Sequence, residues 1–255
     1  MSEAPTGESV ISRVARILSA FDRKNRSMPL TVLADRTGLP LPTAYRLVSE
    51  LVRHGLLERG PDKEIRVGLR LWELSTRGSD TLSLRDTALP YMEDLFESLG
   101  RLTTLSVLDN GTLLYLERIS PEGLSLDRAL VAQRHPIHAA SSGLVLLAFS
   151  SPEFQDDFLA KPLPKYTEDT VTDPHVLRRV LAEIRQQRFC SAPGIGTRGW
   201  TGMAVPVFGA GQRVVAALSV VYERGGERTH EAIPALHAAS FGISMALGVK
   251  PPKRS

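Results

Sequence analysis

From Leu30 to Gly68 the chain has little freedom in how it folds, because two helical patterns, a stiff turn and a hairpin signal follow one another almost without a gap. The first helix of this run covers Leu30 to Thr37, and Gly38 suits the left-handed position that closes a helix. Leu39-Pro40-Leu41-Pro42 makes the turn, and Pro42 fits the first turn of the next helix, where its missing N–H costs nothing. That helix is predicted to reach about His54, with Ala44, Leu47, Val48, Leu51 and Val52 on one face and Gly55 at its end. Two short strands, Leu56–Arg59 and Glu64–Gly68, flank the turn residues Gly60-Pro61-Asp62-Lys63. Upstream, Val10, Val14, Ile17, Leu18 and Phe21 form the apolar stripe of a helix predicted over Ser9–Asp22, and Lys24–Pro29 reads as a polar loop.

A helix, a tight turn, a second helix and a hairpin make a winged helix-turn-helix, whose second helix enters the major groove of DNA. The residues off its apolar face are Thr43, Tyr45, Arg46, Ser49, Glu50 and Arg53. Arg46 fits either a guanine edge or a phosphate, and the sequence does not choose between them. Thr43, near the helix start, suits a phosphate. Arg53 and the wing residues Arg59 and Lys63 are placed to meet the phosphate backbone. Charge agrees in sign: residues 1–79 hold 13 Lys and Arg against 9 Asp and Glu, and the rest holds 18 against 19. A basic first third on a near-neutral remainder suits a polyanionic partner. Two other readings stay open, a merely solvated helix face and a winged module that meets only protein.

The remainder has a different texture. Trp72–Gly78 reads as a short helix and Gly78, Ser79 and Asp80 as a junction. A longer helix is expected over Ser83–Leu99, with Ser83 and Asp86 at its cap, and Pro90 should kink or split it. Its stripe of Leu84, Ala88, Met92, Leu95 and Leu99 serves either its own domain or a dimer seam. Strands are expected at Leu102–Leu108 and Thr112–Ile119 around Asp109-Asn110-Gly111, and at Leu126–Val131, Met203–Val207 and Val214–Val221. Helices are expected at Ser141–Phe149, Pro152–Ala160 and Thr229–Leu247, and another through Gln187 that opens with Asp173 as its N-cap and Pro174 in its first position. Antiparallel strands interleaved with helices give an α+β class. The predicted organisation is a winged helix-turn-helix over 1–79, a linker helix over 80–100, an effector domain over 101–249 and a disordered tail over 250–255. Hydrophobic residues at 42% and charged residues at 23% are ordinary for a packed globular protein. No apolar run approaches the roughly 18 residues of a membrane span. The first residues lack a signal-peptide core, and the lone Cys190 has no disulfide partner in the chain. These features point to the cytoplasm and to no membrane partner.

The run Leu39 to Arg59, LPLPTAYRLVSELVRHGLLER, resembles the recognition helix and wing of the IclR family of bacterial transcriptional regulators. Val67–Leu74 is similar to the stretch that closes that wing. Pro136–Ala148 resembles the family's effector-domain signature, and Arg188–Cys190, Gly199–Val207 and Val214–Val220 resemble its later strands. The resemblance implies a GAF-like effector domain that binds small organic or aromatic acids and couples that binding to DNA affinity. It implies a homodimer or dimer of dimers on a pseudo-palindromic operator, with repression the expected mode. Leu41 and Pro42 stand where the family often has Lys and Ser.

The chemistry of an acid site is legible beside the resemblance. Ala140-Ser141-Ser142-Gly143 open an apolar helix, and free N–H groups at a helix start attract a carboxylate. The plainer reading is an ordinary N-cap serine. By resemblance Gly202, Met203 and Ser219 join the pocket. Gly202 replaces a frequent Cys, Val221 a small polar residue and Leu144 a frequent Lys, and the acid often found before these strands is missing. A less polar pocket implies an aromatic or branched acid, with Arg198 or Trp200 as further contacts.

Enzyme readings are weaker. Ala139–Gly143 is a degenerate nucleophile elbow with Ser141 at its centre, but the elbow needs a preceding strand and Pro136 spoils one. His135, His138 and Cys190 are the only candidate metal ligands, and no nucleotide-binding glycine motif occurs. The expectation is a regulator without catalytic residues, metal or cofactor.

Overall fold

The computed structural model describes residues 8–22, 24–122, 124 and 131–249. It divides into two compact units, Met1–Asp80 and Thr81–Ser255.

In the first unit, α1 (Val10–Ser19), α2 (Leu30–Thr37) and α3 (Leu41–Arg53) surround a core that includes Ile17, Leu33, Ala44, Val48, Leu57 and Ile65. Ser9 lies outside α1 and caps it, accepting from the Ser12 N–H at 3.0 Å. That cap sets the helix start one residue after the predicted one, and the helix stops three residues before Asp22. Gly38 closes α2 in the left-handed conformation at φ 61°. The hairpin forms from β2 (Leu57–Arg59) and β3 (Ile65–Val67). The stretch expected as a loop holds a third strand, β1 (Ser27–Met28), paired with Arg66 and Ile65. Met28 is buried there and Ser27 hydrogen-bonds Glu64, so a two-residue strand is held by its partners rather than by its own pattern. The next helix, α4, runs from Leu69 to Arg77, three residues earlier than expected.

The second unit is built on a six-stranded antiparallel sheet among the described residues, in the order β6-β5-β4-β9-β8-β7. These strands are β4 (Leu102–Asp109), β5 (Thr112–Ile119), β6 (Arg134–His135), β7 (Cys190–Pro193), β8 (Trp200–Phe208) and β9 (Val214–Glu223). The β4–β5 turn is as predicted, with Asn110 and Gly111 both at positive φ. One expectation fails at a sheet edge: β6 forms despite Pro136, which follows the strand; at the other edge β7 overlaps, at Cys190, the stretch that the resemblance marked as a strand. The strand expected over Leu126–Val131 falls outside the described residues, apart from Val131 in a turn, as does the tail from 250.

One face of the sheet packs on α6 (Ser141–Ala148), α7 (Pro152–Leu159) and α8 (Pro174–Gln187). The other packs on α5 (Asp80–Leu99) and α9 (Thr229–Ala246). Successive strand residues alternate between these two cores. α5 neither starts at Ser83 nor breaks at Pro90. It begins at Asp80, and Ser83 lies inside it, its carbonyl accepting from the Thr87 hydroxyl at 2.7 Å. Pro90 and Asp86 are both exposed, so water can take the Asp86 carbonyl that the proline leaves unpaired. Leu84, Ala88, Met92 and Leu95 are buried against the sheet, so the stripe belongs to its own domain.

Candidate functional site

The outer face of α3 is built by an amphipathic pattern. Ala44, Leu47, Val48 and Leu51 turn inward and leave Tyr45, Arg46, Ser49, Glu50 and Arg53 exposed, with Thr43 half-buried at the first turn. Tyr45 is 58% exposed, too much for a core role. Arg46, Arg59 and Lys63 form no ion pair among the described residues, so their charge is open to a partner. Arg53 is paired with Glu50, and in the wing Arg66 is paired with Asp62 at 3.0 Å. Arg59 and Lys63 are both exposed on the hairpin.

In the second unit a cavity of about 180 Å³ opens between the sheet and the start of α6. That exceeds the about 150 Å³ that suffices for benzene in an apolar core. Its floor comes from the sheet: Gly202 of β8 lies opposite Val221 of β9, and Ser219 stands two residues before Val221 on the same face. The Ser219 hydroxyl lies 2.7 Å from that of Thr104, its β4 neighbour, and both residues are buried. Tyr115 and His135 form one wall, their rings edge to face at 5.2 Å. The Tyr115 hydroxyl bonds the Ser142 side chain, and burial pushes its pKa above the ordinary phenol value. The other wall and the mouth come from Tyr166, Ile195, Gly196, Thr197 and Trp200. Ala140, Ser141 and Ser142 close the end, and no side chain caps the first turn of α6 because Ala140 holds the N-cap. Among the described lining residues there is no Lys, Arg, Asp or Glu. An anion here would meet helix amides, hydroxyls and one imidazole.

The structure brings five of the residues expected for the effector, Ala140, Ser141, Ser142, Gly202 and Ser219, onto this one cavity. Two stand elsewhere. Gly143 is buried against the 3-10 turn Ile137–Ala139, where a Cβ would run into the Ile137 carbonyl oxygen; the glycine serves helix packing, not ligand approach. Met203 is 1% exposed and points to the opposite core with α5 and α9. Arg198 is paired with Glu168 at 2.8 Å on the surface, whereas Trp200 does line the cavity. Gly202 has a steric reason to lack a side chain: its Cβ would stand 2.5 Å from the Ser141 hydroxyl. Tyr115, Tyr166 and the 195–197 loop were not identified from sequence. Tyr115 sits at an inward register position that only strand pairing reveals, and nothing local marks the loops.

The candidate metal ligands do not converge, and among the described residues no group of three His, Cys, Asp or Glu is placed to hold a metal. His138 Nε2 donates to the Pro164 carbonyl at 2.9 Å, and burial pushes the Cys190 thiol up to about 12. The elbow is not formed either. Ser141 follows a 3-10 turn rather than a strand, in an antiparallel sheet.

Comparison with known proteins gives this arrangement its context. The family model for the IclR helix-turn-helix domain matches residues 10–61, and that for the bacterial transcriptional regulator IclR C-terminal domain matches residues 78–245. The chain belongs to the IclR family. As an IclR-family transcriptional regulator it pairs a DNA-binding domain with a ligand-binding domain. It is similar to an IclR homolog from Microbacterium hydrocarbonoxydans whose crystal structure is complexed with 4-hydroxybenzoate, at 41% identity and a TM-score of 0.88 over 94% of this chain and 99% of that one. It is also similar to the Escherichia coli regulator KdgR, at 26% identity over 97% of this chain and 96% of KdgR. The Pca operon regulatory protein of Acinetobacter baylyi is 28% identical, over 83% of this chain and 77% of its own length. These relatives are regulators of transcription. Among the described residues no helix is long and apolar enough to cross a membrane.

Proposed function

We propose that this regulator is a cytoplasmic repressor that answers to a small monocyclic aromatic acid. The carrying observation is the cavity itself, sized for one ring, walled by tyrosine, histidine and tryptophan and free of charged side chains among the described residues, with the uncapped start of α6 at its end. The 4-hydroxybenzoate bound by the Microbacterium homolog belongs to the same chemical class. The ring packs between Tyr115 and Trp200, and the carboxylate sits on the amides and hydroxyls of Ser141 and Ser142. Ser219 supplies a further polar contact from the floor.

On the DNA side, Arg46 reads the major groove, Thr43, Tyr45 and Ser49 stand beside it, and Arg53, Arg59 and Lys63 meet phosphates. A homodimer, or a dimer of dimers, places two such helices on a pseudo-palindromic operator. Ile11, Leu69 and Trp72, each at least 64% exposed, are apolar surface suited to a second copy. The acid changes operator affinity only by its differential affinity for two states of the protein, typically ~1–3 kcal/mol. The chain is no enzyme, and Ser141 binds rather than attacks.

The test is a gel shift of the full chain on its own upstream intergenic DNA, with and without 4-hydroxybenzoate, beside a thermal-shift panel of organic acids. A specific shift altered by an aromatic acid is expected. A chain that prefers no duplex over random DNA of equal length acts instead as a ligand-sensing module for a protein partner.

A further inference from the structure

Two loops without regular structure carry residues onto the cavity, and one buried hydroxyl joins them. Thr170 lies in coil yet is only 4% exposed. Its Oγ1 donates to the Ile195 carbonyl at 2.6 Å, and accepts from the N–H groups of Tyr166 at 3.2 Å and Thr167 at 2.9 Å. A hydroxyl has one donor and two acceptor positions, and this one fills all three. Thr167 adds a parallel tie, its hydroxyl donating to the Gly194 carbonyl at 2.7 Å. On the outside, Asp169 pairs with Arg224 at 2.6 Å. Each loop is also held from below: Pro164 accepts from His138, and Gly196 packs against the Ala139 carbonyl so closely that a Cβ would not fit.

Tyr166 and Ile195 both line the cavity, and Thr170 does not. The Thr170 hydroxyl is therefore a direct tie behind the cavity between these two residues, beside the Thr167–Gly194 bond. We propose that Thr170 is a positioning residue for ligand recognition: its hydroxyl fixes Tyr166 and the 195–197 loop at the spacing that grips the ligand. The inference rests on the reading of the cavity as the effector site. Valine matches threonine in shape but leaves the Ile195 carbonyl and two N–H groups without this partner, and buried polar groups left unpaired drive local rearrangement. Serine keeps the bonds.

The experiment compares the full chain with Thr170→Val and Thr170→Ser, using 4-hydroxybenzoate and benzoate as calorimetric probes and hydrogen exchange without ligand. The Val variant is expected to weaken 4-hydroxybenzoate binding at least tenfold and to narrow its preference over benzoate. Exchange should quicken over 164–170 and 194–197 alone, and the Ser variant should restore both readouts. Wild-type affinity in the Val variant, or faster exchange spread through α6 and α8, overturns the proposal. If the wild-type chain binds neither acid, the effector reading fails for these ligands, and exchange alone then decides the tie: unchanged protection over 194–197 overturns it and a local loss upholds it.

Discussion

α3 and α6 are both short helices that carry a proposed binding function, and they do it in opposite ways. α3 hides one face and offers the other, so its chemistry is written along its length in residue types. All eight residues of α6 are buried, and what it offers is its end. The partner proposed for α3 would arrive from outside and meet exposed side chains of one helix and the hairpin beside it. The cavity at α6 is lined by atoms gathered from the sheet, two loops and the helix start. A surface site can change with little effect on the fold, whereas a cavity site is part of the core.

That contrast sets the expected size of each substitution. Leu147→Ala empties a fully buried position in α6 and should cost ~2–5 kcal/mol of stability, read from denaturant unfolding. A loss under ~1 kcal/mol would mean that the α6 core collapses around the gap, and the contrast would weaken. Arg46→Ala on α3 should leave stability within ~0.5 kcal/mol but cost ~1–3 kcal/mol of specific operator affinity, measured by fluorescence anisotropy against a scrambled duplex. Unchanged operator affinity would remove α3 from the interface.

A third expectation concerns the core beneath α6, where Cys190 is buried and its thiol pushed up to about 12. The folded state keeps that proton after the unfolded chain has lost it. Stability contributed by this group is full below the unfolded thiol value near ~8.5 and falls by ~1.4 kcal/mol per pH unit above it. Cys190→Ala should remove that part of the alkaline slope in unfolding curves. The smallest effect belongs to the wing: Lys63→Ala should lower the salt slope of DNA binding by about one, with little change in sequence preference. A change in preference would mean that the wing reads bases.

The same contrast explains what the sequence discloses. α2, Gly38 and α3 are local devices, and their residues name them. The Asn110-Gly111 turn and the Asp173 cap are equally local; Asp173 accepts from the N–H groups of His175 and Val176. The serines at the start of α6 are marked by their place before an apolar run. β1 escapes notice because two residues carry no period, and its stability comes from the hairpin beside it. Pro90 misleads because α5 runs through it: the proline and Asp86 both lie on the exposed side, and the buried stripe of Leu84, Ala88, Met92 and Leu95 holds the helix on either side. Tyr115, Tyr166 and Ile195 come together through strand register and loop ties, which no window of sequence contains. Met203 was expected at the ligand beside Gly202 by resemblance, but a strand sends neighbours to opposite sides.

That last alternation has a consequence for how the two cores on either side of the sheet are joined. Gly202 faces the cavity, and the next side chain, Met203, is locked into the core under α5, the helix by which the chain enters its second unit. Any shift of the backbone at Gly202 would be carried through one peptide bond to the residue that fills the opposite core. A side chain added at 202 would press on Ser141 at the start of α6 and strain the strand that seats Met203, so a change made for the cavity would be felt in both cores at once.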